Sequence, residues 1–259
     1  MPRIDATEAR ELLRDADRVC VFTGAGVSQE SGVPTFRDGG FWDEFPPDQF
    51  ARWDGIVQTA MRDPERLARF IEAVVRPIAE ARPNAAHRAI AEFGRGREVS
   101  VLTQNIDGLH QEAGSETVHE VHGSILRLAT LGGEPRGGVT RSELLAVADR
   151  MNLRPRNPMM LWKAMRPLLQ RKGLSVIRPD LVLFGDAMAE PDWTDAVTAA
   201  RRADAMLTVG TSQAVYPAAA LPSYLSERGR PVIVVDPVEP ASGLWVEGTA
   251  CEAVPMLLS

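Results

Sequence analysis

The sequence predicts an α/β protein with a doubly wound parallel sheet and a small, mostly helical second domain formed by two insertions. Short apolar runs alternate with helical patterns along the 259 residues, and the runs end in glycine or in polar residues. Two long segments interrupt this alternation. With 44% apolar and 25% charged residues, the composition is that of an ordinary globular protein.

Six apolar runs are predicted to be strands. Strands of a parallel sheet are buried on both faces, so they appear as continuous apolar runs. The runs cover residues 18–23, 99–103, 117–121, 181–184, 205–209 and 232–235. Helical patterns cover residues 6–16, 64–81, 84–93, 191–202 and 214–228. Because strand and helix alternate, we expect a Rossmann-like sheet, in which ligands bind at the carboxyl ends of the strands.

The interrupting segments, residues 38–83 and 123–177, are expected to form the second domain. The larger domain then comprises residues 1–37, 84–122 and 178–259. Residues 123–177 hold ten basic and three acidic side chains, a net charge of +7, whereas the whole chain carries −6. This excess suggests a surface for an acidic partner or for a second copy of the chain, and a solvated helical face is the alternative. Helices are predicted there at residues 141–151 and 158–172.

The composition argues against several classes of protein. Cys20 and Cys251 are the only cysteines, and this count excludes a disulfide framework and a four-cysteine zinc site. No apolar run reaches membrane-spanning length, and residues 1–10 lack the apolar stretch of a signal peptide, so we expect a cytoplasmic protein. The net charge of −6 argues against wholesale nucleic-acid binding.

A glycine-containing turn follows the first apolar run. Gly24 and Gly26 allow the backbone to approach a pyrophosphate closely, and the helix expected after them offers free N–H groups to it. The third glycine of the usual dinucleotide-binding pattern is missing. A tight turn between a strand and a helix is therefore the alternative interpretation.

Five sequence blocks, in this order, resemble the Sir2 (sirtuin) family of NAD-dependent protein deacylases. The blocks are GAGVSQESGVPTFRD at 24–38, TQNIDGLH at 103–110, VHGS at 121–124, RPDLVLFGD at 178–186 and GTSQAVYP at 210–217. The resemblance implies NAD as the cofactor and the removal of acetyl or other uncharged acyl groups from protein lysine side chains. The products would be nicotinamide and O-acyl-ADP-ribose. Acylated protein substrates would bind as extended peptides.

His122 and Asn105 are the candidate catalytic residues. A neutral imidazole at a strand end is a good general base near pH 7, and the resemblance assigns that role to His122. Asn105 and Asp107 supply an amide and a carboxylate, groups that can recognise the carboxamide of nicotinamide. Turn formation is the alternative role for both. The other histidines are expected to be structural: His87, His110 and His119.

The resemblance also assigns the cofactor contacts. The ring of Phe36 would shield the reactive ribose carbon from water. Asp236 would accept hydrogen bonds from the adenosine ribose, at a position where the family usually has asparagine. The full set of expected contacts is Gly24, Ala25, Gly26, Ser28, Thr35, Phe36, Arg37, Gln104, Asn105, Ile106, Asp107, Gly210, Thr211, Ser212, Asp236 and Ala250.

By the same resemblance, residues 181–185 form the strand that pairs with the substrate peptide. Val182 and Phe184 would contact the acyl-lysine, and Gly185 ends the strand. Asp186 stands where the family commonly has glutamate.

A second pair of residues bears on the acyl group. Family members that remove acidic acyl groups carry a tyrosine and an arginine on the first helix of the small domain. Counting back from residues 83–87 places Ile71 and Val74 at the equivalent positions, which predicts a preference for uncharged acyl groups. A shift of register would bring Arg76 into the pocket instead.

The main departure from the family is the missing zinc site. Family members usually carry two cysteine pairs after the His-Gly-Ser block, whereas residues 125–177 contain neither cysteine nor histidine. We therefore expect no metal and a small domain held together by apolar packing. The side chains expected to pack are Leu144, Leu145, Met160, Leu161, Trp162, Met165, Leu168 and Leu169.

Two other functions remain compatible with the sequence. One is an NAD hydrolase or ADP-ribosyltransferase on the same scaffold. The other is a non-catalytic NAD-binding module whose basic domain recruits a partner. Neither a membrane nor a nucleic acid is an expected partner.

Overall fold

The computed structural model describes residues 2–35, 39–172 and 175–259. The expected contacts of Phe36 and Arg37 lie outside these described residues. The chain divides into two compact units. The first comprises Met1–Ser31, Arg82–Val121 and Ala189–Ser259, and the second comprises Gly32–Ala81 and His122–Met188.

Strands and helices alternate along much of the described chain. The strands are β1 (Arg18–Thr23), β2 (Glu98–Thr103), β3 (Val118–Glu120), β4 (Gly123–Thr130), β5 (Pro135–Gly138), β6 (Gln170–Lys172), β7 (Ser175–Leu181), β8 (Ala205–Val209), β9 (Val232–Asp236) and β10 (Leu244–Glu247). The α-helices are α1 (Ala6–Arg14), α2 (Gly39–Glu44), α3 (Pro47–Phe50), α4 (Trp53–Arg62), α5 (Pro64–Glu80), α6 (Ala85–Phe93), α7 (Leu109–Ala113), α8 (Arg141–Asn152), α9 (Pro158–Ala164), α10 (Asp192–Arg202), α11 (Ser223–Ser226) and α12 (Ala250–Leu258). Two 3-10 helices cover Ala25–Ser31 and Ala218–Ala220.

The first unit is built on a parallel sheet with the strand order β10-β9-β8-β1-β2-β3. From β1 the chain adds β2 and β3 on one side, then returns to add β8, β9 and β10 on the other side. The predicted parallel, doubly wound α/β fold is confirmed. The direction of winding reverses between β1 and β8, so this is the place where such a sheet binds its ligand.

One predicted strand of this sheet is wrong. Residues 181–184 lie outside it, and the chain just before them forms β7, which pairs antiparallel with β4 in the second unit. In β7 the charged side chains of Arg178 and Asp180 interrupt the apolar ones, a pattern that a search for continuous apolar runs passes over. The sixth parallel strand is instead β10, which the sequence pattern does not reveal because its apolar run ends at Val246, before Glu247.

The helix predicted at residues 214–228 is also wrong. It is divided into the 3-10 helix Ala218–Ala220 and the single turn α11. Pro217 precedes the first of these and Pro222 the second. Proline lacks a backbone N–H and clashes with the preceding turn, so a continuous helix cannot run through either position.

The core of the first unit lies between one face of the sheet and the helices α1, α6 and α12. Each helix turns a buried apolar stripe toward the strands, with Leu13, Ile90 and Leu257 near the centre. The helix starts are well capped. The Asp5 side chain accepts hydrogen bonds from two backbone amides at the start of α1, and Asn84 forms a capping box with His87 at the start of α6.

The second unit combines helices with a four-stranded antiparallel sheet in the order β5-β4-β7-β6. The helices α5 and α8 pack against each other. The sequence pattern predicts the helices α8 and α9 but not this sheet. The helix predicted at residues 158–172 ends at Ala164 and is followed by β6, because Pro167 stops the helical pattern.

The apolar packing expected in the second unit is only partly present. Leu144, Leu161 and Leu168 are buried as predicted. Met160 and Trp162 are instead exposed. Within the described ranges, no group of three or more His, Cys, Asp or Glu side chains is arranged to hold a metal ion. Among those same residues, no helix has both the length and the apolarity needed to cross a membrane.

Candidate active site

Two glycine loops meet at the point where the winding of the sheet reverses. Gly24 and Gly26 follow β1, and Gly210 follows β8, its immediate neighbour in the sheet. Gly26 N–H donates to the carbonyl oxygen of Gly210 at 2.9 Å, and Gly24 N–H donates to that of Val209 at 3.1 Å. These two amides therefore hold the loops together rather than face a ligand.

The approach of the two loops requires glycine on both sides. A Cβ atom on Gly26 would lie 2.6 Å from the Cα of Gly210, and one on Gly210 would lie 2.5 Å from the carbonyl carbon of Gly26. Gly210 also has a φ of +59°, which disfavours other residues. The close packing of the two loops therefore requires glycine at these positions, independently of any pyrophosphate.

A buried polar network lies beside these loops in the first unit. The Ser28 hydroxyl donates to Asp107 Oδ2 at 2.7 Å, and the Asn105 side-chain amide donates to Ser28 Oγ at 3.0 Å. Asp107 Oδ1 accepts from the backbone N–H of Leu109 at 3.0 Å. Ser28, Asn105 and Asp107 are all buried. The structure therefore brings together an amide, a hydroxyl and a carboxylate that the sequence analysis assigned separately.

Two buried histidines extend this network. His87 Nε2 lies 3.4 Å from Ser28 Oγ, and His110 Nε2 lies 3.0 Å from the hydroxyl of Thr23. The two rings are 4.8 Å apart between centroids. Burial lowers the pKa of His87 from 6.5 to about 4, with a smaller contribution from Arg88. Burial also lowers the pKa of His110, and the neighbouring His87 adds to that shift. Both rings are therefore neutral at pH 7.

The sequence predicts only a structural role for His87. Its contact with Ser28 could not be predicted, because the two residues are far apart in the chain. The polar surroundings of His110 are easier to predict from the sequence. Thr23 and Thr103 are paired across β1 and β2, and their hydroxyls are 2.8 Å apart, so polar side chains occupy the last position of both strands.

Several other residues of the first unit are also predicted to contact the cofactor. Thr211 donates to the Gln104 side-chain oxygen at 2.9 Å, which ties the end of β8 to the end of β2. Asp236 ends β9, is buried, and accepts from the backbone N–H of Val238 at 3.0 Å. Ala25, Gly26, Ile106 and Gly210 are partly exposed and Ser212 is exposed.

Ala250 is the first residue of α12, and a side chain from elsewhere approaches this helix start. Glu30 accepts from the backbone N–H of Cys251 at 2.9 Å and from the hydroxyl of Thr249 at 3.3 Å. A carboxylate is favourable at a helix N-terminus. This contact joins the end of the first 3-10 helix to α12, and no sequence pattern predicts it.

His122 belongs to the second unit and lies in the turn between β3 and β4. It is half-buried, and its carbonyl oxygen accepts from the backbone N–H of Val182 at 3.0 Å. The next residue must be glycine. Gly123 has a φ of +77°, and a Cβ atom there would lie 1.9 Å from the carbonyl oxygen of Asp180. The turn therefore fixes the backbone on which the candidate base is carried.

The expected substrate residues also lie in the second unit. Val182 is half-buried and Phe184 is exposed, and the backbone N–H of Phe184 donates to Ala51 at 2.9 Å. Gly185 follows with a φ of +96°. Thr35, which lies before the first gap in the described residues, is partly exposed.

Asp186 is occupied by contacts within the second unit. It accepts from Trp53 Nε1 at 2.7 Å and from the backbone N–H of Leu183 at 3.1 Å. The guanidinium of Arg178 lies 4.2 Å above the Trp53 ring. These contacts hold the segment that follows β7.

The residues predicted to meet the acyl group lie on α5. Ile71 is buried and Val74 is half-buried. Arg76 forms ion pairs with Glu72 at 3.2 Å, with Asp149 at 3.0 Å and with Glu80 at 3.6 Å. This arginine is therefore held by three carboxylates of its own unit.

A family model gives the decisive comparison. The model of the Sir2 family matches residues 24–217, which include both glycine loops and the turn that carries His122. The chain belongs to the Sir2 family. The resemblance first seen in five short blocks is thereby confirmed over most of the sequence.

Relatives in this family are similar along nearly their whole length. An NAD-dependent protein deacylase of Mycobacterium tuberculosis is 40% identical over 247 residues, which cover 93% of this chain and 96% of the relative. One from Pyrococcus furiosus is 36% identical over 257 residues, covering 97% and 96%. A structure solved for the mechanism and regulation of Sir2 enzymes is 34% identical with a TM-score of 0.76, covering 98% of this chain and 96% of the other. A Sir2 complex with a p53 peptide and NAD+ is 29% identical with a TM-score of 0.75, covering 97% and 96%.

Proposed function

We propose that this chain uses NAD to remove uncharged acyl groups from lysine side chains of proteins, with nicotinamide and O-acyl-ADP-ribose as products. The observation that carries the proposal is the network of Ser28, Asn105 and Asp107 beside two glycine loops at the reversal point of a parallel sheet. Family membership and deacylase relatives at 40% identity support the same reaction.

The residues around the strand ends fit NAD. The glycine loops after β1 and β8 place backbone, without side chains, at the position where a doubly wound sheet receives a pyrophosphate. Asp236 supplies a carboxylate that can accept hydrogen bonds from a ribose and would repel a 2′-phosphate, which favours NAD over NADP. When bound, NAD supplies a ribose carbon that becomes reactive as nicotinamide leaves.

The buried network is suited to hold a carboxamide. Asn105 uses its amide N–H on Ser28, so the carbonyl of that side chain can accept from the amide of nicotinamide. The two oxygens of Asp107 accept from the Ser28 hydroxyl and from the backbone N–H of Leu109, which fixes the orientation of this carboxylate. Because both groups are already positioned, binding requires little rearrangement, and we assign Asn105 a catalytic role on that basis.

We assign His122 the role of general base toward a ribose hydroxyl. The turn that carries it is fixed by Gly123 and by the bond from Val182, which restricts the placement of the imidazole. The acylated protein is proposed to bind as an extended peptide along residues 182–185, with Val182 and Phe184 against the acyl-lysine. The Sir2 complex that contains a p53 peptide supports a peptide substrate. We place this activity in the cytoplasm, in keeping with the free thiols of Cys20 and Cys251.

A single assay tests the proposal. The protein is incubated with NAD and an acetyl-lysine peptide, and the products are identified by mass. We expect free lysine peptide, nicotinamide and O-acetyl-ADP-ribose in equal amounts. Nicotinamide with free ADP-ribose and an unchanged peptide would identify an NAD hydrolase instead. A peptide that gains ADP-ribose would identify a transferase, and unchanged NAD would identify a binding module.

A further inference from the structure

The second unit exposes large apolar side chains in and just before α9, among them Met160, which was predicted to pack in the interior. Leu153 is 81% exposed, Met159 64% and Met160 49%. Leu153 follows α8, and the two methionines lie in the first turn of α9. Monomeric proteins seldom expose several large apolar side chains together unless the surface has a partner.

Basic side chains are concentrated in the same stretch of the chain. Residues 150–169 contain five basic side chains and no acidic one. Arg150 and Arg154 are directed into the unit, since Arg150 donates to the carbonyl of Ala164 at 3.3 Å and Arg154 pairs with Glu72 at 3.3 Å. Arg156, Lys163 and Arg166 are exposed, and within the part of the chain that the structure describes no side-chain partner is present for them.

The helix α9 places both kinds of side chain on one face. Leu161 and Ala164 are buried, which fixes the opposite face of the helix toward solvent. Residues three and four apart are neighbours on a helix surface, so Met159 and Met160 lie next to Lys163. We call this exposed set the α8–α9 surface. It comprises Met159, Met160 and Lys163 of α9 together with the exposed side chains that come shortly before and after this helix in the sequence, Leu153, Arg156 and Arg166.

We propose that the α8–α9 surface binds an acidic segment of a partner protein that also carries apolar side chains. Cations without partners attract carboxylates, and methionine adapts its shape to varied apolar side chains. Neither feature alone selects this occupant. An acidic chain without apolar residues would leave the methionines exposed, and an apolar chain without acids would leave the cations unpaired.

The charge of the remaining chain favours a short acidic segment over a long polyanion. Outside residues 123–177 the protein carries −13, so its net charge is −6. A membrane of anionic lipid or a nucleic-acid duplex carries a large negative charge and is repelled by a protein whose own net charge is −6. A peptide segment lies within about one Debye length, roughly 8–10 Å, of the cations and avoids most of the repulsion.

The inference goes beyond the deacylase proposal and is tested without it. The probe is a fluorescein-labelled synthetic peptide in which glutamates alternate with leucines, and binding is measured by fluorescence anisotropy at low and at physiological salt. Two variants address the surface, K163Q/R166Q for its charge and L153S/M159S for its apolar part. The matched control, R95Q/R202Q, removes the same charge from exposed arginines of the first unit. Circular dichroism and the thermal unfolding midpoint verify that each variant is folded.

We expect the wild-type protein and R95Q/R202Q to bind the probe alike. Affinity should fall roughly three- to tenfold in K163Q/R166Q and about as much in L153S/M159S, and it should weaken with salt. Absence of binding, or an equal loss in the control variant, would overturn the inference. So would equal binding of a glutamate–serine peptide, which lacks apolar side chains. Tighter binding to anionic phospholipid vesicles or to a DNA duplex would identify a different class of partner and reject this one.

Discussion

Gly26 and Gly210 are joined backbone to backbone, with the N–H of Gly26 donating to the carbonyl oxygen of Gly210 at 2.9 Å. This contact connects the loop after β1 to the loop after β8. The two loops are therefore held together. The shape of the proposed NAD site depends on this backbone-to-backbone approach, which leaves no room for a side chain on either glycine. A change at either glycine is expected to affect stability and cofactor binding together.

The first prediction concerns Gly26→Ala. The new Cβ would lie 2.6 Å from the Cα of Gly210, and backbone atoms cannot rotate away from it. We expect the free energy of unfolding to fall by about 1–3 kcal/mol, a usual cost of overpacking, and NAD affinity to fall with it. Chemical denaturation and calorimetric titration with NAD measure the two effects.

Gly132→Ala is the matched control for this prediction. Its φ is not positive, and the nearest atom to an added Cβ is the Thr130 hydroxyl oxygen at 3.8 Å. We expect this variant to match the wild-type protein in both measurements. Normal NAD binding by Gly26→Ala would show that the loops tolerate displacement and that the site does not depend on their contact.

The second prediction is that His122→Ala loses deacylation while NAD still binds. Removal of a general base typically lowers the rate roughly 10²–10⁴-fold. His119→Ala is the control, because His119 lies on β3 and has no assigned role in the reaction. The measurements are kcat on an acetyl-lysine peptide and the Kd for NAD. Turnover of His122→Ala near the wild-type rate would remove the histidine from the mechanism.

The sequence predicts the parallel part of this fold well because burial on both faces leaves a continuous apolar run in β1, β2, β8 and β9. It fails for β4 and β7, whose antiparallel pairing leaves mixed side chains. Gly123 and the glycines of β5 are also typical of loops, so they do not mark these segments as strands. Each glycine loop could be predicted because its own residues are consecutive in the sequence.

The buried network could be predicted only in part, because its members come from distant parts of the chain. Asn105 and Asp107 stand together in one block, and their polarity after an apolar run marks them. His87 belongs to the same network only because the fold brings its ring, in the first turn of α6, to 3.4 Å from the Ser28 hydroxyl. Periodicity indicates which face of a helix is buried, but it does not indicate what that face contacts.

The third prediction concerns pH. The pKa of His87 falls from 6.5 in an unfolded chain to about 4 in the folded protein, mainly because the ring is buried. Between these two values the unfolded state binds more protons than the folded state. Stability is therefore complete above about pH 6.5 and is lost as the pH falls toward about 4. His110, with its own lowered pKa, changes stability in the same direction.

The variant that isolates this effect is His87→Gln, which is polar but does not titrate. Relative to this variant, the wild-type protein should lose roughly 2 kcal/mol of unfolding free energy between pH 7.5 and pH 5. Urea denaturation at several pH values gives the difference. A gap between the two proteins that stays constant with pH would mean that His87 is not buried in its neutral form.

The fourth prediction is that the folded protein carries no stoichiometric zinc and tolerates chelators. Residues 125–177 contain no cysteine or histidine, and α5 packs against α8 with Glu72 paired to both Arg76 and Arg154. We expect EDTA to leave the thermal unfolding midpoint unchanged. Elemental analysis that finds a zinc ion in each chain would contradict the prediction.

The last prediction is that acetyl and butyryl groups are removed in preference to succinyl. Ile71 and Val74 occupy the positions assigned to the acyl pocket, and both are apolar. A succinyl carboxylate placed against them would lose hydration without gaining a partner, which costs several kcal/mol. Each buried CH₂ of a longer neutral chain would instead gain roughly 0.8 kcal/mol.

Arg76 is the residue that could reverse this preference. Its three ion pairs, of which that with Asp149 raises its pKa most, hold it within the second unit. The measurement is kcat/KM on matched acetyl, butyryl and succinyl peptides for the wild-type protein and for Arg76→Gln. We expect low succinyl activity in both proteins, because a guanidinium that is already paired with three carboxylates has few N–H donors left for the carboxylate of a succinyl group. Succinyl activity equal to acetyl activity in the wild-type protein, and lost in Arg76→Gln, would show that Arg76 reaches the acyl group and that Ile71 and Val74 do not line its pocket.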